Sequence, residues 1–295
     1  MTDQNIIMNN ELNSIIIPDY VNYIGVFLTF ACNLDCSYCI NKFNTAPESK
    51  MLSGKEIVSG LNRIISRPDL PVSLQGGEPS LHPDFYYIIN NIRQELKIDI
   101  LTNLTFDVKK FVENVKPEKL LRNSPYAPIR VSYHPEKSNR SEIIEKSLYL
   151  QNNGFRVGIY GINLQDYSEC NSEMKKKCEI LNIDFRFKEF LGFHNGILYG
   201  QYKYPDAIDG KKNIKVECKP SELLINPAGD IFKCHYHLYS NSSNSGNLLD
   251  SEYRGDFNSH ICYDYGLCNP CDIKIKTNRH QIFGHTSVEI NRNLK

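Results

Sequence analysis

The sequence has no tryptophan, no excess of charge of either sign and no long apolar run. Its 34 basic residues are balanced by 34 acidic ones, which removes any net-charge argument for nucleic acid or a membrane surface as partner. No stretch approaches the roughly 20 consecutive apolar residues that a membrane span needs. Met1 to Asn13 lack a basic segment followed by an apolar one, so no secretory signal is expected and the cytoplasm is the expected location. The missing tryptophan, beside 18 Tyr and 14 Phe, says little about function.

Cysteine is what the chain has in quantity. In a secreted chain ten cysteines would suggest disulfides; without an export signal, metal binding in a reduced compartment is the expectation. Three of them, Cys32, Cys36 and Cys39, lie at C-x3-C-x2-C spacing directly after the apolar run Tyr23 to Phe30. Five of the remaining seven fall between Cys218 and Cys271. Three thiolates on one short loop can hold three corners of a cubane iron–sulfur cluster and leave the fourth iron without a protein ligand. A structural zinc site normally takes four ligands, so the trio fits zinc poorly.

Read in order, the chain alternates between strand and helix patterns. After a leader of residues 1–20, in which Ile15 to Ile17 read as a peripheral strand, Tyr23 to Phe30 is strand one. Helical spacing of Ile57, Leu61, Ile64 and Ile65, with Ser53 as N-cap, predicts a helix from Ser53 to Ser66. Further strands are expected at Pro71 to Leu74, Lys97 to Leu101, Ile129 to Tyr133, Phe155 to Ile162 and Ile183 to Phe190. Helices are expected at Asp84 to Leu96, near Val108 to Val115, at Ser141 to Asn153 and at Glu169 to Leu181. Such alternation argues for an α/β fold with a parallel sheet curled into a partial (β/α)6 barrel, followed by a small C-terminal cysteine-rich module. In barrels of this kind chemistry sits at the C-terminal strand ends. There the sequence puts the cysteine loop, Gln75-Gly-Gly-Glu-Pro79, Thr102-Asn103 and Ser132 to His134.

These stretches resemble the radical S-adenosylmethionine enzymes. The resemblance rests on Cys32, Cys36 and Cys39, with Tyr38 before the last thiol, and on Gly76-Gly-Glu-Pro79 at the next strand end. It implies a catalytic barrel over residues 21–190 and a 4Fe–4S cluster whose open iron is chelated by S-adenosylmethionine. Reductive cleavage would then give a 5′-deoxyadenosyl radical that abstracts hydrogen from carbon. Gly76, Gly77, Glu78 and Pro79 would contact the cofactor, the glycines by allowing close backbone approach and Glu78 as acceptor for its ammonium group. Thr102, Asn103 and Ser132 lie where ribose or carboxylate contacts come from, and Tyr38 would approach the adenine. An ordinary turn is an equally good reading of Thr102-Asn103. His134 and Arg130 are candidates for the barrel mouth, although a packing role is the commoner fate of a His before Pro.

Residues 191–217 lack periodicity and read as a connecting segment. Residues 218–275 resemble the twitch or SPASM-like auxiliary-cluster module of the same enzymes, with Cys218, Cys234, Cys268 and Cys271 ligating a second 4Fe–4S cluster. Asn226-Pro-Ala-Gly-Asp230 marks a hairpin inside it. Zinc is the alternative for these four thiols. Cys262 could replace Cys268 as a ligand, stay buried, or serve as a free catalytic thiol that donates hydrogen to a substrate radical. Cys170 and Cys178, on one helix, read as core or surface residues. His235 and His237 would share a face of a strand. Residues 276–295 form a tail of undecided structure.

The resemblance implies hydrogen abstraction from a small molecule or a peptide, with a reductant such as flavodoxin or ferredoxin. Only about 20 residues precede strand one, so a leader-binding domain of the kind found in many peptide-modifying members is not expected. That favours oxidation or epimerisation of a sugar-like or aminocyclitol-like substrate. Maturation of a ribosomally made peptide is the alternative. From another class, a non-catalytic electron-transfer protein would have no need of an intact Gly76-Gly-Glu-Pro79.

Overall fold

The computed structural model describes residues 13–39, 50–211, 214–277 and 284–292. Its elements run β1 (Ile15–Ile16), β2 (Tyr23–Thr29), α1 (Gly54–Leu61), β3 (Ile64–Ile65), β4 (Val72–Gly76), α2 (Phe85–Asn91) and β5 (Ile98–Thr102). They continue with α3 (Val108–Asn114), β6 (Ile129–Tyr133), α4 (Arg140–Asn152), β7 (Val157–Asn163), α5 (Ser168–Ile180) and β8 (Asp184–Glu189). The six strands β2, β4, β5, β6, β7 and β8 pair in that order, all parallel, with helices covering the outer face. This is the expected α/β partial barrel. Strand β2 is an apolar run because both its faces are covered: six of its seven residues are buried.

The outward residues of the strands pack on the helices in one core that includes Leu74, Ile100, Val131 and Ile159. The barrel interior carries a polar layer instead. Asp99 is fully buried and takes both Arg122 (2.8 and 2.9 Å) and the Tyr126 hydroxyl (3.0 Å). Arg130 lies 3.3 Å from the same carboxylate and donates to Ser73 at 3.1 Å. Arg130 is therefore a brace across β4, β5 and β6 and does not reach the mouth, which corrects its expected position.

Two helices are shorter than their patterns predict. Helix α1 starts where expected, with a capping box between Ser53 and Glu56, but it ends at Leu61. Ile64 and Ile65 leave the helix and pair in parallel with Ile15 and Ile16, a long-range partner that helical spacing cannot reveal. Helix α2 stops at Asn91; beyond it the Asn62 side chain accepts the Arg93 N–H at 2.8 Å and turns the chain aside.

The C-terminal third contains β9 (Gly192–His194), β10 (Ile197–Tyr199), β11 (Ile214–Pro220), β12 (Glu222–Ile225), β13 (Asp230–Phe232) and α6 (His235–Ser240). After these come β14 (Gly246–Asn247), β15 (His260–Tyr265), α7 (Pro270–Ile273) and β16 (Val288–Asn291). The stretch expected to be a plain connection holds the hairpin β9–β10, closed by Asn195 and Gly196, both at positive φ (50° and 77°). The hairpin at Asn226 forms as expected, with the Asn226 side chain accepting the Ala228 and Asp230 N–H groups. Its strand β12 lies parallel against β2, so β12, β13 and β14 extend the barrel sheet to nine strands. A separate antiparallel sheet, in the order β15–β11–β16, stands beyond it, and the tail thus enters as a strand.

Candidate functional site

The C-terminal ends of β2, β4, β5 and β6 open onto one cavity of about 460 Å³. Cys32, Cys36 and Cys39 line it, as do Tyr38, Gly76, Gly77 and Glu78. Thr102, Asn103, Ser132 and His134 complete that side. Of the residues expected near S-adenosylmethionine, Pro79 alone is set back, buried at the start of a turn over Pro79–Leu81.

The cysteine loop is pinned at several points. The Cys39 N–H bonds the Cys36 carbonyl at 3.1 Å, and the Leu34 N–H points at the Cys32 sulfur at 3.5 Å. Glu136, on the loop after β6, accepts from the Ser37 N–H (2.6 Å) and the Ser37 hydroxyl (2.9 Å). Asn33 bridges to Thr105 (2.7 Å) and receives the Asn103 side-chain amide (2.9 Å). Tyr38 stacks on His134 and its hydroxyl meets His134 Nδ1 at 2.8 Å. Sequence reasoning missed Asn33, Ser37 and Glu136. The signal available for the first two was their position between the cysteines; for Glu136 there was none.

Gly76 and Gly77 also have a structural task within the fold. A Cβ on Gly76 would lie 2.1 Å from the Thr29 carbonyl oxygen, and one on Gly77 would lie 2.2 Å from that of Ala31. The glycines therefore let the end of β4 press against the backbone that launches the cysteine loop. Two hydrogen bonds fasten it there, Gly77 N–H to Thr29 and Glu78 N–H to Ala31.

Glu78 is fully buried. Its Oε1 accepts from the Ser80 hydroxyl (2.6 Å), the Ser80 N–H (3.2 Å) and the Thr102 hydroxyl (2.8 Å), and its Oε2 from the Asn103 N–H (2.7 Å). Burial pushes its carboxyl above the ordinary value while these four donors pull it back. The residue ties β4 to β5, and Oε2 is the oxygen with more acceptor capacity left.

The three thiols of the loop share one wall of the cavity, and their number and spacing suit a cubane iron–sulfur cluster. Burial pushes Cys36 up to about 12, helped by Glu136 and by the two neighbouring thiols, and burial likewise raises Cys32. Thiols crowded in this way ionise readily only against a compact positive charge, such as an iron–sulfur core supplies. The donor set fits that group.

The opposite wall comes from the C-terminal third. Glu222, His235, Tyr239, Cys271, Lys274 and Lys276 face the cavity there. Lys276 and Glu222 form a buried ion pair at 2.8 Å. His235 and His237 lie on helix α6, which corrects the strand reading. Asp272 accepts the His235 and Tyr236 N–H groups and so caps the helix start. The two rings consequently diverge, His235 to Asp272 (3.0 Å) and His237 to Asp264 (3.1 Å).

The remaining C-terminal thiols lie off the cavity. Cys218 is buried in the core between the β15–β11–β16 sheet and α7, with Cys234, Cys262 and Cys268 packed around it. Cys262 was expected as a candidate thiol near the barrel mouth; its place on β15, next to β11, removes it from there, and Cys271 is the C-terminal thiol on the cavity wall. Cys170 and Cys178 sit on α5, the latter buried.

Residues 26–169 match the family described as the Radical SAM superfamily. They form a radical SAM domain. The domain implies a 4Fe–4S cluster and S-adenosylmethionine, and it contains every strand end that supplies the cysteine side of the cavity. Among curated proteins, the chain is 30% identical over 107 residues to GTP 3′,8-cyclase of Campylobacter jejuni subsp. doylei (35% of this chain, 33% of that protein). It is 24% identical over 185 residues to GTP 3′,8-cyclase of Aliarcobacter butzleri (59% and 57%). The matches thus span from a third to a little over half of those relatives. Among solved structures, anSMEcpe with bound AdoMet superposes with a TM-score of 0.53 at 12% identity, covering 78% of each chain. Over that span the chain shares the fold of anSMEcpe. No helix among the described residues is long and apolar enough to cross a membrane.

Proposed function

We propose that this chain is a radical S-adenosylmethionine enzyme that takes hydrogen from a carbon of a small polar substrate, sugar-like or aminocyclitol-like, and oxidises or epimerises it. The observation that carries the reading is the convergence of Cys32, Cys36 and Cys39 with Gly76, Gly77, Glu78, Thr102, Asn103 and Ser132 on one cavity. Bound there, the cluster and S-adenosylmethionine would supply radical chemistry for hydrogen abstraction.

The chain's own part is to place and shield. Cys32, Cys36 and Cys39 would hold the cluster, and the cavity beside them would take S-adenosylmethionine. Glu78 keeps Asn103 and Thr102 in position and offers Oε2 to the ammonium group. Tyr38, stacked on His134 and in tilted contact with Tyr167, closes the side of the loop against water. The substrate enters against the wall of Glu222, His235, Tyr239 and Lys276, whose donors and acceptors suit a hydroxyl-bearing molecule better than an apolar one.

In this reading residues 21–190 are the catalytic barrel and residues 218–275 an auxiliary module whose thiols hold a second 4Fe–4S cluster. A flavodoxin or ferredoxin delivers the electron. The test is stimulation of 5′-deoxyadenosine release by candidate substrates in the anaerobically reconstituted, dithionite-reduced protein. Polyhydroxylated sugars or aminocyclitols are expected to raise it. Stimulation by short peptides alone would overturn the substrate class and favour peptide maturation.

A further inference from the structure

We propose that the fourth thiol of the C-terminal metal site is Cys262, and that Cys271 stands outside that site as a thiol of the substrate cavity. The proposal rests on the reading that the C-terminal thiols bind a second iron–sulfur cluster, and it changes which four do so.

Strand register carries the first half. In the antiparallel pair β11–β15, Cys218 lies opposite His260 and Val216 lies opposite Cys262. Residues 216 and 218 share one face of β11, and 260 and 262 share the same face of β15. Cys218 and Cys262 are therefore diagonal neighbours on one side of the sheet, close enough for their side chains to meet. Cys234 and Cys268 pack into the same cluster, from the end of the β12–β13 hairpin and from the loop ahead of α7.

Backbone donors add to this. The His237 N–H points at the Cys234 sulfur and the Asp264 N–H at the Cys262 sulfur, both at 3.4 Å. N–H groups aimed at sulfur favour the thiolate and are among the groups that tune iron–sulfur sites. Cys262 is thus supplied like a ligand.

The local geometry of the C-x2-C pair carries the second half. Cys268 precedes Asn269, the N-cap of α7, whose side chain accepts the Cys271 N–H at 2.9 Å. Asp272 completes the capping box and binds the start of α6. The chain therefore enters a helix between the two cysteines. Cys268 stays with Cys218 in the distal core, while Cys271, partly exposed, joins the wall of the radical SAM cavity beside Tyr239 and Lys274. A thiol there faces the space where substrate and S-adenosylmethionine meet.

The test uses iron content and spectroscopy, with no need for a substrate. A Cys32→Ala/Cys36→Ala/Cys39→Ala variant, reconstituted anaerobically, is expected to keep about four irons per chain with a 4Fe–4S electron paramagnetic resonance signal on reduction. Adding Cys262→Ala is expected to abolish both, and adding Cys271→Ala to leave both intact. The reverse pattern overturns the ligand assignment alone. No iron in the triple variant overturns the second cluster itself. Since Cys262→Ala could act through misfolding, alkylation of the reconstituted full chain gives an independent readout. Mass spectrometry is expected to find Cys271 modified by iodoacetamide and Cys218, Cys234, Cys262 and Cys268 protected; modification of Cys262 with protection of Cys271 contradicts the proposal.

Discussion

Replacing Glu78 by Gln is the most informative single perturbation of the site. The change keeps the shape of the side chain and removes one acceptor. Glu78 Oε2 receives the Asn103 N–H at 2.7 Å, and Oε1 receives the Ser80 N–H at 3.2 Å together with two hydroxyls. The Ser80 and Thr102 hydroxyls can turn and accept from an amide, but a backbone N–H cannot. Whichever way the new amide is oriented, its NH2 faces one of the two backbone donors. A buried donor left without an acceptor costs about 1–3 kcal/mol. The surviving bonds also lose their charge assistance, while escape from burying a carboxylate works in the opposite direction. The net expectation is a loss of about 2 kcal/mol, read from the urea midpoint at constant m-value. If Glu78 also holds Asn103 and meets the ammonium group, S-adenosylmethionine binding to the reconstituted protein weakens by about tenfold or more, or ~1.4 kcal/mol, by calorimetry. An unfolding free energy within about 0.5 kcal/mol of wild type, together with an unchanged dissociation constant, would refute the reasoning.

Two further outcomes follow from neighbouring contacts. Gly77→Ala puts a Cβ 2.2 Å from the Ala31 oxygen and must push the cysteine loop away from β4; reconstituted iron should fall by about four per chain with unchanged far-ultraviolet circular dichroism, and wild-type iron content would contradict this. Burial alone would raise the Glu222 carboxyl, but Lys276 and His235 outweigh it and hold it at about 2. A carboxyl depressed on folding contributes stability that is present above the ordinary carboxylate range and is lost as the pH falls towards 2. The contribution is on the order of 2–3 kcal/mol. Unfolding free energies measured between pH 4.5 and 3 should therefore fall more steeply in wild type than in Glu222→Gln; equal slopes would rule out this pairing.

How much of this was legible in the sequence depended on the range of the interaction. Strands β2, β4, β5 and β6 are largely apolar and end in polar motifs, and both signals are local, so these strand ends and their chemistry could be read directly. The same holds for the N-cap at Ser53 and the hairpin at Asn226. The Asn195-Gly196 hairpin carried an equally local signal that lack of periodicity around it concealed. What could not be read depends on partners distant in the chain. Ile64 and Ile65 fit a helical pattern until Ile15 and Ile16 offer them a ladder. His235 and His237 fit a strand until Asp272 satisfies the donors of a helix start. Arg130 looks like a mouth residue until Asp99 is found beneath it. Cys262 could be sorted from Cys271 only by the register of β15 on β11 and by the helix that opens after Asn269.

The central claim is that the three-thiol loop and the strand ends around it form a working S-adenosylmethionine site. Anaerobic reconstitution with iron and sulfide, reduction with dithionite and quantification of 5′-deoxyadenosine from S-adenosylmethionine test it most directly. The account predicts 5′-deoxyadenosine from the wild-type protein and none from the Cys32→Ala/Cys36→Ala/Cys39→Ala variant. A fully reconstituted wild-type protein that releases none, with or without candidate substrates, would contradict it.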